Sequence, residues 1–209
     1  MAFYTGKSAT YVKDRFNLAP LDITADHIKA EVLSYFRYRR SNVTLCCTEF
    51  SDPYSNCIED IVCKETRNGE DLYHSIEVKI SESDFKREFW HKKDKHKARG
   101  DGRFYDFFYF AVPSDLVPIV YEYLETELLP YGIFSIFYDE SKQLTLELKR
   151  RAERVTRDTE TNTSTIDEAI CKRMSSEIAA SHVEIYKLKS GLQEVKRQLF
   201  FLSQSIKTA

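Results

Sequence analysis

The chain lacks any apolar run near the ~18 to 20 residues that a membrane-spanning helix requires, so no such span is expected. No excess of one charge is present either. Its 31 Lys and Arg stand against 33 Asp and Glu, which argues against a generic basic coat for nucleic acid. The five cysteines, Cys46, Cys47, Cys57, Cys63 and Cys171, show no C-x-x-C spacing, so neither a disulfide framework nor a zinc knuckle is expected. They read as small, reduced, apolar side chains. Met1 to Lys13 carries no basic stretch leading into an apolar one, and the cytoplasm is the expected compartment. What is present is a 42 % apolar share and 13 % aromatic residues, enough to exclude disorder of the whole chain. A length of 209 residues suits one domain with an appendage.

Periodicity predicts a helix from about Thr24 to Arg40, with Thr24 as N-cap and Ile28, Val32, Tyr35 and Phe36 on one face. Three β-rich runs follow: Val43 to Phe50, Ile58 to Thr66 and Tyr73 to Ile80. The last two flank an Asn68-Gly69 turn signal. A charged helix is expected from Glu82 to Ala98, then a strand from Phe104 to Val112. Another helix, capped by Ser114 or Asp115, should reach Thr126, and the strands Ile133 to Tyr138 and Leu144 to Lys149 form a second hairpin. This order implies an α/β domain over residues 1–150, a mixed sheet flanked by helices. Residues 151–165 read as a polar linker.

The remaining 166–209 read as a long coiled-coil helix, because residues from Cys171 to Ile206, apolar except for Ser181, recur in steps of three and four. With Ile178, Ile185, Leu192 and Leu199 at a positions, Glu184 falls at g and Lys189 at the following e, which suits a parallel homodimer. A helix packed back on its own domain is the alternative.

The first hairpin carries acids where a core would otherwise be expected. A turn centred between Asn68 and Gly69 sets Asp60 opposite Glu77, and like charges so placed call for a compensating cation. Lys79, two residues on, shares Glu77's face. Two hard oxygen ligands with a neighbouring ammonium are what Mg²⁺-assisted phosphodiester hydrolysis requires. The tripeptide Glu-x-Lys recurs at Glu140, Glu147 and Glu194, so context singles out Glu77: a β-rich strand, an opposed acid and a basic helix after it. A solvated, charged strand face is the alternative reading.

These residues resemble a known family. Asp60, then Ile76-Glu77-Val78-Lys79-Ile80-Ser81, Ser83-Asp84-Phe85, and Phe107-Phe108-Tyr109-Phe110-Ala111-Val112-Pro113 resemble the PD-(D/E)XK nuclease superfamily, in particular its MmcB-like DNA-repair group. The resemblance covers roughly residues 24 to 118, and Glu59 stands where the short motif has Pro. It implies a restriction-endonuclease-like α-β-β-β-α-β core and a metal-dependent DNA endonuclease using Mg²⁺ (or Mn²⁺). Asp60 and Glu77 would then be metal ligands, the Val78 carbonyl a third, and Lys79 the catalytic lysine. Many members add a Glu from the first helix, for which Glu31 is the candidate.

DNA would lie along the segment from Lys86 to Arg103, where eight basic residues (Lys86, Arg87, Lys92, Lys93, Lys95, Lys97, Arg99 and Arg103) face three acids. Such a stripe binds phosphates without reading sequence. Arg37, Arg39 and Arg40 would extend it. Asp84 is expected to cap the helix, His74 to pair with Cys63, and His91 and His96 to be exposed or to touch phosphate. Two further classes remain: a non-catalytic DNA-binding or assembly module, and a structural coiled-coil adaptor.

Overall fold

The computed structural model describes residues 22–54, 57–91, 96, 105–155 and 162–207. The first helix, α1 (Ala25–Ser34), starts at a reciprocal cap. Thr24 Oγ1 accepts the His27 N–H at 3.3 Å, and His27 Nδ1 accepts the Thr24 N–H at 3.4 Å. The helix then widens into a π turn, Tyr35–Arg39. Its buried residues Ile28, Val32 and Phe36 form the expected stripe.

Strands β1 (Val43–Ser51), β2 (Ile58–Arg67) and β3 (Glu70–Val78) form an antiparallel meander. Asn68 at φ 53° and Gly69 at φ 79° supply the two left-handed residues of a tight hairpin turn. The register pairs Ile61 with Ile76 and Cys63 with His74, as the turn position predicts.

After α2 (Glu82–His91), β4 (Phe107–Pro113) runs parallel to β3. After α3 (Val117–Thr126), β5 (Gly132–Tyr138) runs parallel to β4, and β6 (Leu144–Arg150) closes the sheet antiparallel to β5. Parallel neighbours need a crossover, and α2 and α3 lie in those two connections. The result is a mixed six-stranded sheet in sequence order, with helices against it. Gly132 admits its neighbours: a Cβ there would lie 2.3 Å from the Tyr109 ring.

One face of the sheet packs Ile61, Cys63, Ile76, Tyr109, Phe134 and others against α1. The opposite face packs Phe108, Phe110 and Ile133 against Phe85 and Phe89 of α2 and Val120 and Leu124 of α3. A third cluster joins Cys47, Phe50, Val62 and Tyr73 to Ile166 and Ile170 of the last helix, α4 (Thr163–Lys207). All five cysteines are free thiols. No described helix is long and apolar enough to cross a membrane.

Several expectations are corrected. The tail is not separate from residue 166 onward, since Ile166 and Ile170 are fully buried in the domain. Asp167 holds them there, accepting from Lys64 Nζ at 2.6 Å and Tyr73 Oη at 2.7 Å. Glu177 accepts the Thr48 N–H and hydroxyl at 2.9 and 2.6 Å. The expected linker is tied down at its start: Val155 N–H donates to Asp106 O at 2.9 Å, and Arg154 pairs with Glu70 and Asp106. Neither Ser114 nor Asp115 caps α3; Leu116 is the N-cap and Pro118 opens the first turn, where a missing N–H costs nothing. Helix α2 is described from Glu82 to His91, and residues 92–95 and 97–104, which hold most of its expected extension, Arg99, Arg103 and the start expected for β4, lie outside the described residues.

Candidate functional site

The end of β3 carries the charged residues that the sequence singles out. Strand alternation sets Ser75, Glu77 and Lys79 on the face covered by α2, while Ile76 and Val78 face α1. Lys79 continues the strand's pairing, its N–H donating to Ala111 O at 3.1 Å. Both charged side chains are buried, Glu77 at 2 % and Lys79 at 5 % exposure. Lys79 Nζ lies 3.4 Å from Glu77 Oε2 and 2.7 Å from Glu88 Oε2. Burial by itself would depress this ammonium's pKa. The Glu77 and Glu88 carboxylates outweigh burial and raise it, so Lys79 is a charged donor at neutral pH and not a base.

Asp60 enters from β2. The paired register of the hairpin runs up to Ile61 and Ile76. There the Asp60 side chain takes over from the ladder, accepting the Val78 N–H at 2.8 Å. Its carboxylate is thus fixed at the Val78 N–H, while the direct Asp60–Glu77 pairing expected from the turn lies beyond the paired register, which ends at Ile61 and Ile76. Val78 gives Asp60 its N–H. Among the described residues, no set of three or more His, Cys, Asp or Glu side chains is arranged to hold a metal ion.

The α1 side chain that meets Asp60 is Lys29, 3.5 Å from Oδ1, and the same ammonium pairs with Glu49. Burial pulls Lys29's pKa down, but the Glu49 and Asp60 carboxylates overcome it and raise the value. Glu31, expected at this place, is half-buried; burial pushes its pKa up and Arg39 is the charge that opposes that rise. Glu49 sits at φ 46°, a left-handed turn within β1 that directs its carboxylate to Lys29.

Of the expected phosphate-binding residues, Lys86 is exposed on α2 and pairs with Glu82 one turn away. Lys92, Lys93, Lys95, Lys97, Arg99 and Arg103 lie outside the described residues, as does the side chain of His91. Arg37 and Arg39 are exposed, but Arg40 belongs to the fold. Its guanidinium grips buried Glu65 with two bonds of 2.9 Å. His74 completes that cluster, its Nε2 lying 3.1 Å from Glu65 Oε2 while Nδ1 has no partner. The proton is accordingly assigned to Nε2, and burial keeps the ring's pKa below its usual value. Asp84 does not cap α2: Ser81 does, its Oγ accepting the Asp84 N–H at 3.2 Å.

Four residues escape the sequence reading. Glu88 appears there only as an acid within a basic run, yet it is Lys79's nearer partner. His96, expected to be exposed, is buried, stacks on Phe89 at 4.4 Å and approaches Glu88 at 3.4 Å. Glu59 is buried and accepts the Ser75 hydroxyl at 2.8 Å. Trp90 stands 70 % exposed at the end of α2. The spacing of Phe85, Glu88 and Phe89 at i, i+3 and i+4 is the signal that places Glu88 on the buried side of the helix.

No family model matches the chain, and no curated protein does. Among solved structures the chain is similar to the SPO1766 protein of unknown function from Silicibacter pomeroyi. That match has 15 % identity and a TM-score of 0.45, over 77 % of this chain and 90 % of that one.

Proposed function

We propose that the chain is a Mg²⁺- or Mn²⁺-dependent DNA endonuclease with a restriction-endonuclease-like core, akin to the MmcB-like group of PD-(D/E)XK nucleases. The observation that carries this reading is a pair of contacts at the end of β3. Asp60 is tied to the peptide between Glu77 and Val78, and a charged Lys79 stands beside Glu77. Mg²⁺ commonly takes one or two carboxylates and fills its other positions with water and phosphate oxygens, so the hard oxygen donors present suit it. Asp60 and Glu77 would hold the ion. Bound there, it would supply phosphate polarisation and an acidified water.

The chain's own groups have definite tasks in this scheme. Lys79, held protonated, donates to a water or to a negatively charged phosphate oxygen. Glu88 anchors its ammonium from the helix side. The basic residues from Lys86 onward supply phosphate contacts, and exposed Trp90 offers a flat surface on which an unstacked base can rest.

Duplex, single-stranded and branched DNA should be incubated with the protein in Mg²⁺ or Mn²⁺, beside Glu77→Gln and Lys79→Met variants checked by circular dichroism. Wild-type cleavage that both folded variants lose is expected; equal cleavage by wild type and Glu77→Gln overturns the assignment. A second reading, a catalytically inactive DNA-binding or coiled-coil assembly module, is favoured by one contact. Lys29 already places an ammonium 3.5 Å from Asp60, where a divalent ion would need to approach. Salt-dependent DNA binding without product is the outcome that would select it.

A further inference from the structure

Helix α4 consists of two parts with different surroundings. Through Glu177 one face of the helix is committed to the domain: Ile166 and Ile170 are buried, Met174 packs beside them, and Asp167, Arg173 and Glu177 bond to β1, β2 and β3. From Ile178 the situation reverses. Ile178, Ile185, Leu188, Leu192, Val195 and Leu199 are between 47 and 67 % exposed. Their steps of seven, three, four, three and four place them at a and d positions, with Ser181 at the d position between Ile178 and Ile185. The backbone remains helical to Lys207, and the sequence continues the pattern at Leu202 and Ile206. A lone helix with this stripe in water has no tertiary face to support it.

The flanking charges identify what covers the stripe. The e positions hold His182, Lys189 and Lys196, and the g position beside Ile185 holds Glu184. In an antiparallel pair, e faces e and lysines would be set against lysines. In a parallel pair of identical helices, Glu184 of each faces Lys189 of the other. Glu194 is occupied on the outer surface by Arg197 and Gln198 of its own helix, at 3.0 and 3.1 Å, and does not compete for the seam.

We propose that residues 178–206 form a parallel two-stranded coiled coil with a second copy of this chain, while the preceding turns of α4 remain rooted in each protomer's own domain. The seam is therefore shorter than the heptad pattern from Cys171 implies, because Met174, the d residue of its first repeat, packs on the protomer's own core. The inference is independent of whether the charged cluster cleaves DNA.

Light scattering on the eluting full-length protein should give twice the 24.5 kDa chain mass, and Leu192→Glu should give the monomer mass with reduced helical signal but an unchanged cooperative unfolding transition of the domain. A monomeric or trimeric wild type, or a dimer that survives Leu192→Glu, overturns the proposal. Orientation is read from charge reversal. Glu184→Lys and Lys189→Glu should each weaken the dimer by about fivefold, with the double variant returning to wild-type affinity. Failure of the double variant to recover overturns the parallel arrangement.

Discussion

Replacing Glu65 by Gln tests how far one buried carboxylate supports the sheet. Glu65 is 3 % exposed and accepts from Arg40 at 2.9 Å, Arg67 at 3.1 Å and His74 at 3.1 Å. The hydrogen bond from His74, together with Arg40 and Arg67, overcomes burial and holds its pKa at about 2, against an ordinary 4.5. Keeping a carboxyl ionised over that interval corresponds to about 3 kcal/mol by linkage, and screening at the partly exposed arginines reduces this to about 2 kcal/mol.

Because the folded pKa is the lower one, the contribution is complete above pH 4.5 and is lost as pH falls toward 2. His74 also loses stability on acidification, since burial lowers its pKa in the fold, and Glu65→Gln removes the carboxylate that raises it, so the two groups are tested as one coupled pair. The informative quantity is consequently the difference between wild type and Glu65→Gln in urea unfolding. That difference should be about 2 kcal/mol at neutral pH and close to zero near pH 2. A difference that is the same at both pH values, or absent at neutral pH, would refute the assignment of this stability to the Glu65 charge.

Three further outcomes follow from the packing. Ile170→Ala should cost about 2 to 5 kcal/mol in urea unfolding of the full chain, since Ile170 is fully buried between α4 and the sheet; a cost below 0.5 kcal/mol would mean that α4 is not part of the core. Lys79 and Glu88 form a buried pair at 2.7 Å, so a double-mutant cycle with Lys79→Met and Glu88→Ala should show coupling above about 1 kcal/mol in urea unfolding. Strict additivity would contradict the contact. If Asp60 holds a metal as proposed, Lys29→Met removes the ammonium beside it and should tighten Mn²⁺ binding, measured calorimetrically, by about threefold or more. Unchanged affinity would show that Lys29 does not compete for that carboxylate.

The hairpin register was legible because Asn68-Gly69 demands a two-residue turn, and everything on β2 and β3 up to Ile61 and Ile76 follows from its position. The α1 stripe was legible for the same local reason, a sustained 3.6-residue period behind a capping threonine. What could not be read was any contact between distant segments. Nothing in the local pattern tells that Arg40 closes on Glu65, or that Lys29 and not Glu31 meets Asp60. The heptads of the last helix concealed a change of partner, since Met174 and Leu188 fit one periodic stripe although the first packs on the sheet and the second faces outward. Periodicity records that a face is apolar; it does not record what covers it.

The bond from Glu177 to Thr48 has a mechanical consequence. Thr48 immediately precedes Glu49, whose carboxylate grips the Lys29 ammonium standing beside Asp60. The root of a helix that extends about 45 Å beyond this point is therefore one peptide unit from the rim of the charged cluster. Of the anchors of α4, the Glu177–Thr48 bond is the one nearest the outer helix, so a load on that helix meets the domain first beside the left-handed residue Glu49.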